Sequence, residues 1–551
     1  MKRRNSLITA CFVLLSLSAC QLPVPPIARQ PSAAANVPTG TAAQGDKTLV
    51  IGMSEEPDTL NPYVSPLWVT QQILNGVMNS LLIYDRNLTL QPGLAESYVV
   101  SDDGLTYTFK LRQGVKWHDG QPFTAQDVVA TWKVIMDPKS GSIDQSGWSK
   151  IVSMDTPDDH TVVMKTSEVY APFLSFVAGT WRISPKHLID KGVDSFKQEF
   201  GRNPIGTGPF KLVKWEAGQY MLLEKNTDYF GGSPKLDRIQ IKFIPDTNTL
   251  LVQLRTGEVQ MTDATAATEY EAVTQLPNNK VILTDGNSWS HIDLQNIDFL
   301  MDKRVRQALD YATPRDLIVE ELLNGLATVA VGDQSPATPY LNPNLKPRPY
   351  DLDKAAELLK EAGFTKNAAG ILEKGGKPLK IEHWIGNGFQ QVRLVQQVVV
   401  ASWRKLGVYV ETTEQDPAIW ATASGMFYKK AMTAGEYDWA NLIDPDNMFY
   451  WHSSYIPKEP GGIGGNYPAV FNLYEKQALI DQLTADANRT IDPEKRKQVY
   501  WDIQDVLHEE VPVIFLYWSK RIYVTPKNMT GFDPNGALPL LLGSEKWDLS
   551  N

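Results

Sequence analysis

The sequence predicts a mixed α/β fold, because strands separated by turns fill its first half and helix–strand pairs fill its second half. Ile239, Ile241 and Phe243 alternate with polar residues, which is the pattern of a strand with one buried face. A helix over about 391–406 is followed by a strand at 408–410, and the same order recurs near the C-terminus. Helices that alternate with buried strands are typical of layered α/β domains.

The strands of the first half are bounded by turn residues. The first strand covers 49–53, and Pro57 and Pro62 keep the segment after it out of a helix. Thr124 is the predicted N-cap of a helix that continues through Trp132. Alternation and turn signals predict further strands at 107–111, 161–165, 210–214 and 221–224.

The helices of the second half begin at capping residues. Asp353 is the predicted N-cap of a helix that ends at Gly363, and Asp492 with Pro493 opens another. A strand at 511–517 follows this second helix. The roughly 505 residues after the N-terminal region are enough for two to four domain-sized units.

The N-terminus has the composition of an export signal. Basic residues at 2–4 precede an apolar stretch at 7–17, which is too short to cross a bilayer as a stable helix. The stretch ends in a small residue before Cys20 and resembles a bacterial lipobox. Residues 1–19 are therefore the predicted signal peptide, and Cys20 is the predicted lipidation site. The alternative is an ordinary signal peptide that contains a cysteine.

A tether follows the predicted lipidation site. The segment 20–46 is rich in Pro, Ala, Thr and Gln and lacks periodicity, which predicts a flexible linker. Cys11 and Cys20 are the only cysteines, so the folded body can form no disulfide. Two or three acyl chains on Cys20 would hold the protein at a membrane, because a single chain binds only weakly. We expect an extracytoplasmic protein, anchored at the periplasmic or outer surface of the cell membrane.

The composition is that of an acidic globular protein. The chain has a formal net charge of -10 at pH 7 and is 42% hydrophobic. An acidic chain without a basic tract is not expected to bind nucleic acid or anionic lipid. Its 15 Trp and 21 Tyr fit either a well-packed core or a protein that encloses an amphipathic ligand.

Several motifs in the chain resemble those of one family. The segment 94–132, LAESYVVSDDGLTYTFKLRQGVKWHDGQPFTAQDVVATW, resembles the signature of the family 5 extracellular solute-binding proteins. SEEPDTLNP at 54–62 resembles the family's first strand and loop, and NPIGTGPFK at 203–211 resembles its glycine-rich block. VRQAL at 305–309 and the stretch 492–512 resemble later blocks. These blocks follow the family's order, so the chain is identified as a member of that family.

The resemblance implies a large, class II periplasmic-binding-protein clamshell with two lobes and an accessory domain. Lobe I would combine residues 47–80, 185–295 and 510–551. Accessory domain II would cover 81–184, and lobe III would cover 296–509. The chain would cross between the lobes at the two ends of lobe III. The signature would then lie in the accessory domain and serve packing and turns rather than ligand binding.

The resemblance also implies the binding component of an ATP-driven importer. A ligand that contacts both lobes would shift the population toward the closed form, which a membrane permease could recognise. Relatives hold extended peptides by main-chain hydrogen bonds. The expected partners are a peptide or another polar small molecule, the permease and its ATPase. We expect a monomer with no cofactor and no metal.

Candidate ligand contacts follow from the resemblance in both lobes. Glu55, Glu56 and Pro57 stand where relatives present backbone to the ligand, and an exposed acidic loop is the alternative interpretation. Thr265 follows a strand end of lobe I that lines the site in relatives. The further candidates are Ser288, Trp289, Trp420, Trp439, Asn441 and Asp444. For each aromatic residue, core packing is an equally good interpretation.

Asn441 departs from the family pattern. Peptide-binding relatives place an Asp there to pair with the α-ammonium group of the peptide. An Asn carries no charge, so a buried ammonium would lose its strongest partner. Asp438 or Asp444 could substitute for it. Otherwise the ligand has no free amine, as in a blocked peptide, an oligosaccharide or another polar metabolite.

An anchored extracellular hydrolase is the alternative from a different class. Ser402 and Lys405 have the S-x-x-K spacing of penicillin-binding enzymes, but the S-D-N and K-T-G motifs are missing. The seven histidines include no pair at zinc-ligand spacing. The sequence therefore predicts a binding protein and not an enzyme. A sensing protein would use the same fold, so the sequence does not distinguish sensing from import.

Overall fold

The computed structural model describes residues 46–550, apart from residues 66, 143, 144, 146, 180, 264, 421, 442, 445, 461 and 463. The predicted signal peptide, Cys20 and all but the end of the predicted tether lie outside the described residues. None of the described helices is both long enough and apolar enough to cross a membrane. The unit considered below begins at Lys47.

Strands and helices alternate along the described chain. The strands are β1 Thr48–Met53, β2 Leu82–Tyr84, β3 Leu90–Pro92, β4 Ala95–Val100, β5 Thr106–Leu111, β6 Ile151–Asp158, β7 Thr161–Thr166, β8 Phe210–Glu216, β9 Tyr220–Lys225, β10 Arg238–Phe243, β11 Met261–Thr262, β12 Asn279–Leu294, β13 Ala327–Val329, β14 Thr365–Lys366, β15 Leu372–Lys374, β16 Lys377–Pro378, β17 Lys380–Gly386, β18 Tyr409–Gln415, β19 Ala434–Ala440, β20 Val513–Pro526, β21 Met529–Thr530 and β22 Asp548–Leu549. The helices are α1 Trp68–Val77, α2 Ala125–Met136, α3 Phe173–Gly179, α4 Lys186–Ile189, α5 Val193–Ser195, α6 Thr247–Thr256, α7 Tyr270–Thr274, α8 Lys303–Tyr311, α9 Arg315–Leu317, α10 Leu352–Glu361, α11 Gln390–Leu406, α12 Met448–Trp451, α13 Gln477–Arg489 and α14 Pro493–Glu510.

One sheet contains strands from both halves of the chain. Its strands lie in the order β18-β17-β19-β12-β20-β11-β1-β10-β9-β8, and β13 pairs with β20 outside this path. β1 runs parallel to β10 and β11, whereas β8, β9 and β10 pair antiparallel. Leu49 and Ile51 of β1 and Ile239 and Ile241 of β10 are 0% exposed, as expected for central strands. The sheet is therefore mixed, as the sequence predicts.

Two long strands connect the ends of this sheet. The first half of β12 pairs with the second half of β20, and the second half of β12 with the first half of β20. The register breaks between Asp285 and Trp289. A Cβ atom on Gly286 would lie 2.5 Å from the carbonyl oxygen of Ser519, so a glycine is needed where the two strands approach. The break therefore lies within the two strands themselves.

The signature segment belongs to a separate four-stranded sheet with the order β4-β5-β7-β6. Helix α2 begins with the predicted cap. The Thr124 hydroxyl accepts from the Gln126 N–H, and the Asp127 carboxylate accepts from the Thr124 N–H at 2.8 Å. These reciprocal bonds form a capping box and confirm the predicted N-cap.

The tryptophan and histidine of the signature have structural contacts. Trp117 is 2% exposed and packs edge-on against Phe123. His118 Nε2 lies 3.0 Å from the Gly208 carbonyl, and His118 Nδ1 accepts from the Gly206 N–H at 3.3 Å. The signature therefore fastens its own sheet to the glycine-rich block.

Most predicted elements are confirmed within two residues at each end, and three are corrected. The predicted strand at 408–410 is β18, which continues to Gln415. The N-cap of α10 is Asp351 and not Asp353, because Asp351 Oδ1 accepts from the Lys354 N–H at 2.8 Å. The predicted strand at 511–517 is β20, which begins later and continues to Pro526 because it goes on to pair with the first half of β12. The confirmed strands are β1, β5, β7, β8, β9 and β10, and the confirmed helices are α11 and α14.

Candidate functional site

Segments far apart in the sequence meet around one cavity of about 60 Å³. They come from α1, β2, α3 and the residues after it, the break in β12, the loop after β19 and the segment between β21 and β22. A cavity of this size holds about two water molecules or one small functional group. Its described lining consists of Trp68, Gln71, Tyr84, Ser175, Phe176, Gly179, Arg182, Asn287, Asn441, Ile443, Asp444, Ala537 and Pro539.

Four of the predicted site residues lie together on β12, β19 and the loop after it. Ser288 pairs with Ala440, and Trp289 pairs with Trp439. Trp289 is 0% exposed, and its ring lies 5.6 Å from the Trp439 ring in an edge-on contact. Trp289 Nε1 donates to Asn441 Oδ1 at 3.0 Å. Trp289 therefore supports the site from beneath, while Ser288 and Trp439 are half-buried.

The Asn441 side chain is held at both ends. Its oxygen accepts from Trp289, and its Nδ2 donates to the Asp333 carbonyl. Its backbone N–H donates to the Asn287 carbonyl at 2.9 Å, and Asn287 Nδ2 donates back to the Asn441 carbonyl at 2.7 Å. Asn441 therefore presents a fixed, neutral amide at the cavity.

Asp444 is neutralised by an arginine. Its carboxylate accepts two bonds of 2.6 Å from Arg496, one to each oxygen. It also accepts from the Ser175 hydroxyl at 3.0 Å. This bond joins the loop after β19 to helix α3, at the edge of the cavity. Asp444 is therefore unable to offer a free negative charge to a ligand.

Asp438 has the opposite environment. It lies on β19 directly opposite Ser290 of β12 and is exposed. Desolvation by the surrounding protein nevertheless raises the pKa of its carboxyl above the usual value. Among the described residues, no Lys, Arg or His lies within 4.0 Å of the Asp438 carboxylate.

A buried acid–histidine pair lies on the same face, deeper in the sheet. Glu436 and His383 are both 0% exposed, and His383 Nε2 lies 3.2 Å from Glu436 Oε2. Desolvation raises the pKa of the Glu436 carboxyl well above its usual value. Desolvation also lowers the pKa of His383 to about 3. Burial therefore favours the neutral form of both groups.

Trp420 lies in a different aromatic cluster. Its ring is 6.1 Å from the Phe427 ring and 5.9 Å from the Tyr437 ring. A Cβ atom on Gly386 would come within 2.7 Å of both Trp420 and Phe389, so these two rings flank the end of β17. Trp420 is half-buried and does not line the cavity.

The predicted contacts of lobe I also lie away from the cavity lining. Glu55 is exposed and Pro57 is buried. The Glu56 carboxylate accepts from Trp215 Nε1 at 2.7 Å and from the Gly218 N–H at 2.8 Å. Glu56 therefore holds the β8–β9 hairpin. Thr265 is half-buried, three residues beyond the end of β11.

Comparison with known proteins identifies the fold and the class. The family model of the bacterial extracellular solute-binding proteins, family 5 (middle region), matches residues 89–458. The chain belongs to this family. The oligopeptide-binding protein AppA of Bacillus subtilis (strain 168) is 31% identical over 100% of both chains. The glutathione-binding protein GsiB of Escherichia coli (strain K12) is 30% identical over 88% of this chain and 92% of its own length.

The solved structures agree with this assignment. The structure of Bacillus subtilis AppA in complex with a nonapeptide matches with a TM-score of 0.78 and 30% identity. The match covers 92% of this chain and 100% of that structure. The predicted fold class, a mixed α/β clamshell of the family 5 type, is thereby confirmed. Members of this family are solute-binding proteins that act outside the cytoplasm, and they are not enzymes.

The residues considered for a hydrolase have structural roles in this family 5 protein. Ser402 is buried, and its hydroxyl donates to the Ala312 carbonyl at 2.7 Å, whereas Lys405 is exposed. No group of three or more His, Cys, Asp or Glu side chains in the described part of the chain could hold a metal ion.

Two arginines near the cavity are not among the site residues predicted from the sequence. Arg521 of β20 lies over the Trp68 ring at 5.6 Å and donates to Asp263 at 2.8 Å. Arg182 lines the cavity and is 2% exposed. The signal for Arg521 was the basic pair with Lys520, which interrupts an apolar strand. Arg182 follows Trp181 in a stretch whose pattern carries no such signal.

Proposed function

We propose that the protein is the extracytoplasmic binding component of an ABC importer and that it captures a peptide or a related polar oligomer. Lobe I comprises residues 47–80, 185–295 and 510–551. The accessory domain comprises 81–184, and lobe III comprises 296–509. The ligand enters between lobes I and III and is released to a membrane permease, which an ATPase drives. Cys20 carries the lipid anchor, and the protein acts as a monomer.

The observation that carries this proposal is the convergence of distant segments on the cavity. Trp68 comes from lobe I, Ser175 from the accessory domain and Ile443 from lobe III. A ligand bound there contacts every unit of the protein. It therefore has a higher affinity for the closed form and shifts the population toward it. The strand crossing at Gly286 and Ser519 is the place where the lobes turn.

The ligand contacts are assigned by exposure. Ser288 and Asp438 lie on one face of β12 and β19, and Asp438 provides the free carboxylate that a cationic group of the ligand requires. Trp439 lies on the other face, beside Trp289, and is a candidate contact there. Trp289 and Asn441 hold these residues in place. The other candidates are Glu55, Glu56, Pro57, Thr265, Trp420 and Asp444.

A second candidate function is import of a solute that has no free amine. It is favoured by the charges at the cavity, where Asn441 is neutral and Asp444 is paired with Arg496. A blocked peptide, an oligosaccharide or another polar metabolite fits this description.

Native mass spectrometry of the gently purified protein tests the proposal. Bound solutes are released and fragmented, and an unfolded sample serves as the control for nonspecific carry-over. A set of co-purified peptides is the expected result. A sugar or another amine-free metabolite favours the second candidate. Absence of any solute, together with turnover of ester or amide substrates, contradicts the binding role and favours the hydrolase.

A further inference from the structure

Arg182 is a buried cation without a counterion among the described residues. Its Nη1 donates to Ser80 Oγ at 2.9 Å and to the Gly179 carbonyl. Its Nε is buried and has no hydrogen-bond partner. No described carboxylate lies within 4.0 Å of its guanidinium group. The buried arginines 306 and 496, by contrast, each contact a carboxylate.

An uncompensated buried charge is strongly unfavourable. Desolvation lowers the pKa of Arg182 to about 10, which leaves the guanidinium charged at neutral pH. Two hydrogen-bond acceptors on one nitrogen satisfy only part of its five N–H donors. The folded chain therefore keeps a positive charge at the cavity that a group from outside the chain can neutralise.

The rest of the cavity lining is also poor in free negative charge. Asp444 is the one acidic residue in the described lining, and Arg496 already holds both of its oxygens. Trp68 Nε1 is a second buried N–H without a partner. Gln71 has an unpaired Oε1, and a turn of its amide would present the NH₂ group instead. The cavity is therefore rich in donors and carries a net positive charge.

We infer that this cavity binds a carboxylate group of the transported solute and that Arg182 recognises it. A carboxylate only accepts hydrogen bonds, and its two oxygens match the fork of a guanidinium group. The cavity of about 60 Å³ admits a carboxylate with its adjoining carbon but excludes a whole peptide. The solute is therefore an acid that inserts one carboxylate, while its remainder lies along the cleft. This inference rests on the proposed function, because the carboxylate belongs to the solute that the protein captures.

Acetate and acetamide are suitable probes, because they have nearly the same shape and differ in charge. Thermal unfolding of the full chain is recorded with each probe at the same concentration and ionic strength. Acetate raises the Tm of the wild type by at least about 1 °C, whereas acetamide does not. R182Q removes the acetate effect. R202Q is the matched control, because Arg202 lies over the Trp215 ring at the surface, and it keeps the full effect.

R182K separates recognition from folding. Lysine keeps the charge but not the fork, so it retains acetate stabilisation with an affinity about tenfold lower. Circular dichroism establishes that each variant is folded. The inference is overturned if acetate and acetamide act alike on the wild type, or if R182Q responds to acetate as the wild type does.

A second experiment distinguishes failure of this inference from failure of the proposed function. Calorimetry compares tri-alanine with tri-alanine amide on the wild type and on R182Q. Arg182 recognition predicts that R182Q weakens tri-alanine binding by about 30-fold or more and leaves the amide unchanged. Equal binding of both peptides to both proteins overturns the carboxylate site and leaves peptide capture intact. An acetate effect that depends on Arg182, without binding of either peptide, supports the carboxylate site and contradicts capture of these peptides.

Discussion

Asp444 and Arg496 form a buried bidentate ion pair, with each carboxylate oxygen 2.6 Å from a guanidinium nitrogen. Arg496 lies on α14, and Asp444 lies in the loop after β19. The Asp444 carboxylate also accepts from Ser175 of α3. The ion pair therefore fixes the loop after β19 at the cavity, and the bond to Ser175 joins this loop to helix α3.

Loss of one partner of this pair should destabilise the protein. D444N leaves Arg496 buried without its carboxylate, which costs about 3–5 kcal/mol in the free energy of unfolding. Urea denaturation measures the loss. S175A is the control, because it removes one hydrogen bond and costs only about 1 kcal/mol. Equal stability of D444N and the wild type would show that the pair contributes nothing to folding.

Gly286 should not tolerate a side chain. G286A places a Cβ atom 2.5 Å from the Ser519 carbonyl oxygen, so the strands must separate at their crossing. We expect a loss of about 1–3 kcal/mol in unfolding free energy, together with a shift in the open–closed balance. S519A keeps the carbonyl group and should behave as the wild type. Denaturation and small-angle X-ray scattering measure both effects, and an unchanged G286A protein would contradict the tight crossing.

Glu436 should make stability fall as the pH rises. Its pKa is raised in the folded state, so above its unfolded pKa the native protein holds a proton that the unfolded chain releases. Its stabilising effect is complete below the unfolded value near 4.5 and is lost as the pH rises through the folded value. The slope is at most about 1.4 kcal/mol per pH unit.

E436Q tests this pH dependence, because glutamine has the shape of the neutral acid. Urea denaturation between pH 5 and 8 should show a shallower decline for E436Q than for the wild type. E96Q alters an exposed carboxyl on β4 and should leave the slope unchanged. Parallel pH profiles for E436Q and the wild type would contradict a raised pKa of Glu436.

Asp438 should select ligands with a free amine. D438N removes the exposed carboxylate and should weaken binding of an unblocked peptide by about tenfold or more, with no effect on its N-acetylated form. Isothermal titration calorimetry measures both affinities. D155N is the control, because Asp155 is exposed on β6 of the four-stranded sheet. An equal loss for blocked and unblocked peptides would assign Asp438 a structural role.

Cys20 should decide where the protein is found. C20S removes the acceptor of the lipid and should move the protein from the membrane fraction to the soluble extracytoplasmic fraction. C11S, a change of the other leader cysteine, should leave it at the membrane. Fractionation followed by intact-mass measurement checks both variants. Membrane retention of C20S would contradict the lipid anchor.

Local features could be predicted from the sequence because their causes lie within a few residues. Asp492 accepts from the Lys495 N–H at 2.9 Å, as the capping pattern indicated. The sequence predicts a cap at Asp353, but the helix begins at Leu352, and Asp351 caps it because its side chain accepts from the Lys354 N–H. The family motifs predict the clamshell fold, which the spacing of polar and apolar residues alone does not determine.

The cavity could not be predicted, because its contacts are distant in the chain. Arg182 contacts Ser80, and Asp444 contacts Arg496, across long separations that no periodicity encodes. The sequence indicates Asn441 by its missing charge, but the bonds of Asn441 to Trp289 and Asp333 depend on strand register. Which charges stay unpaired is therefore a property of the folded chain.

Ligand-induced closure is the most direct test of the account. The solute that native mass spectrometry identifies is added back to solute-free full-length protein while the radius of gyration is measured by small-angle X-ray scattering. We predict that one equivalent binds, that the radius of gyration decreases and that the solute is recovered unchanged. Binding without any change in the radius of gyration, or chemical conversion of the solute, would contradict capture between closing lobes.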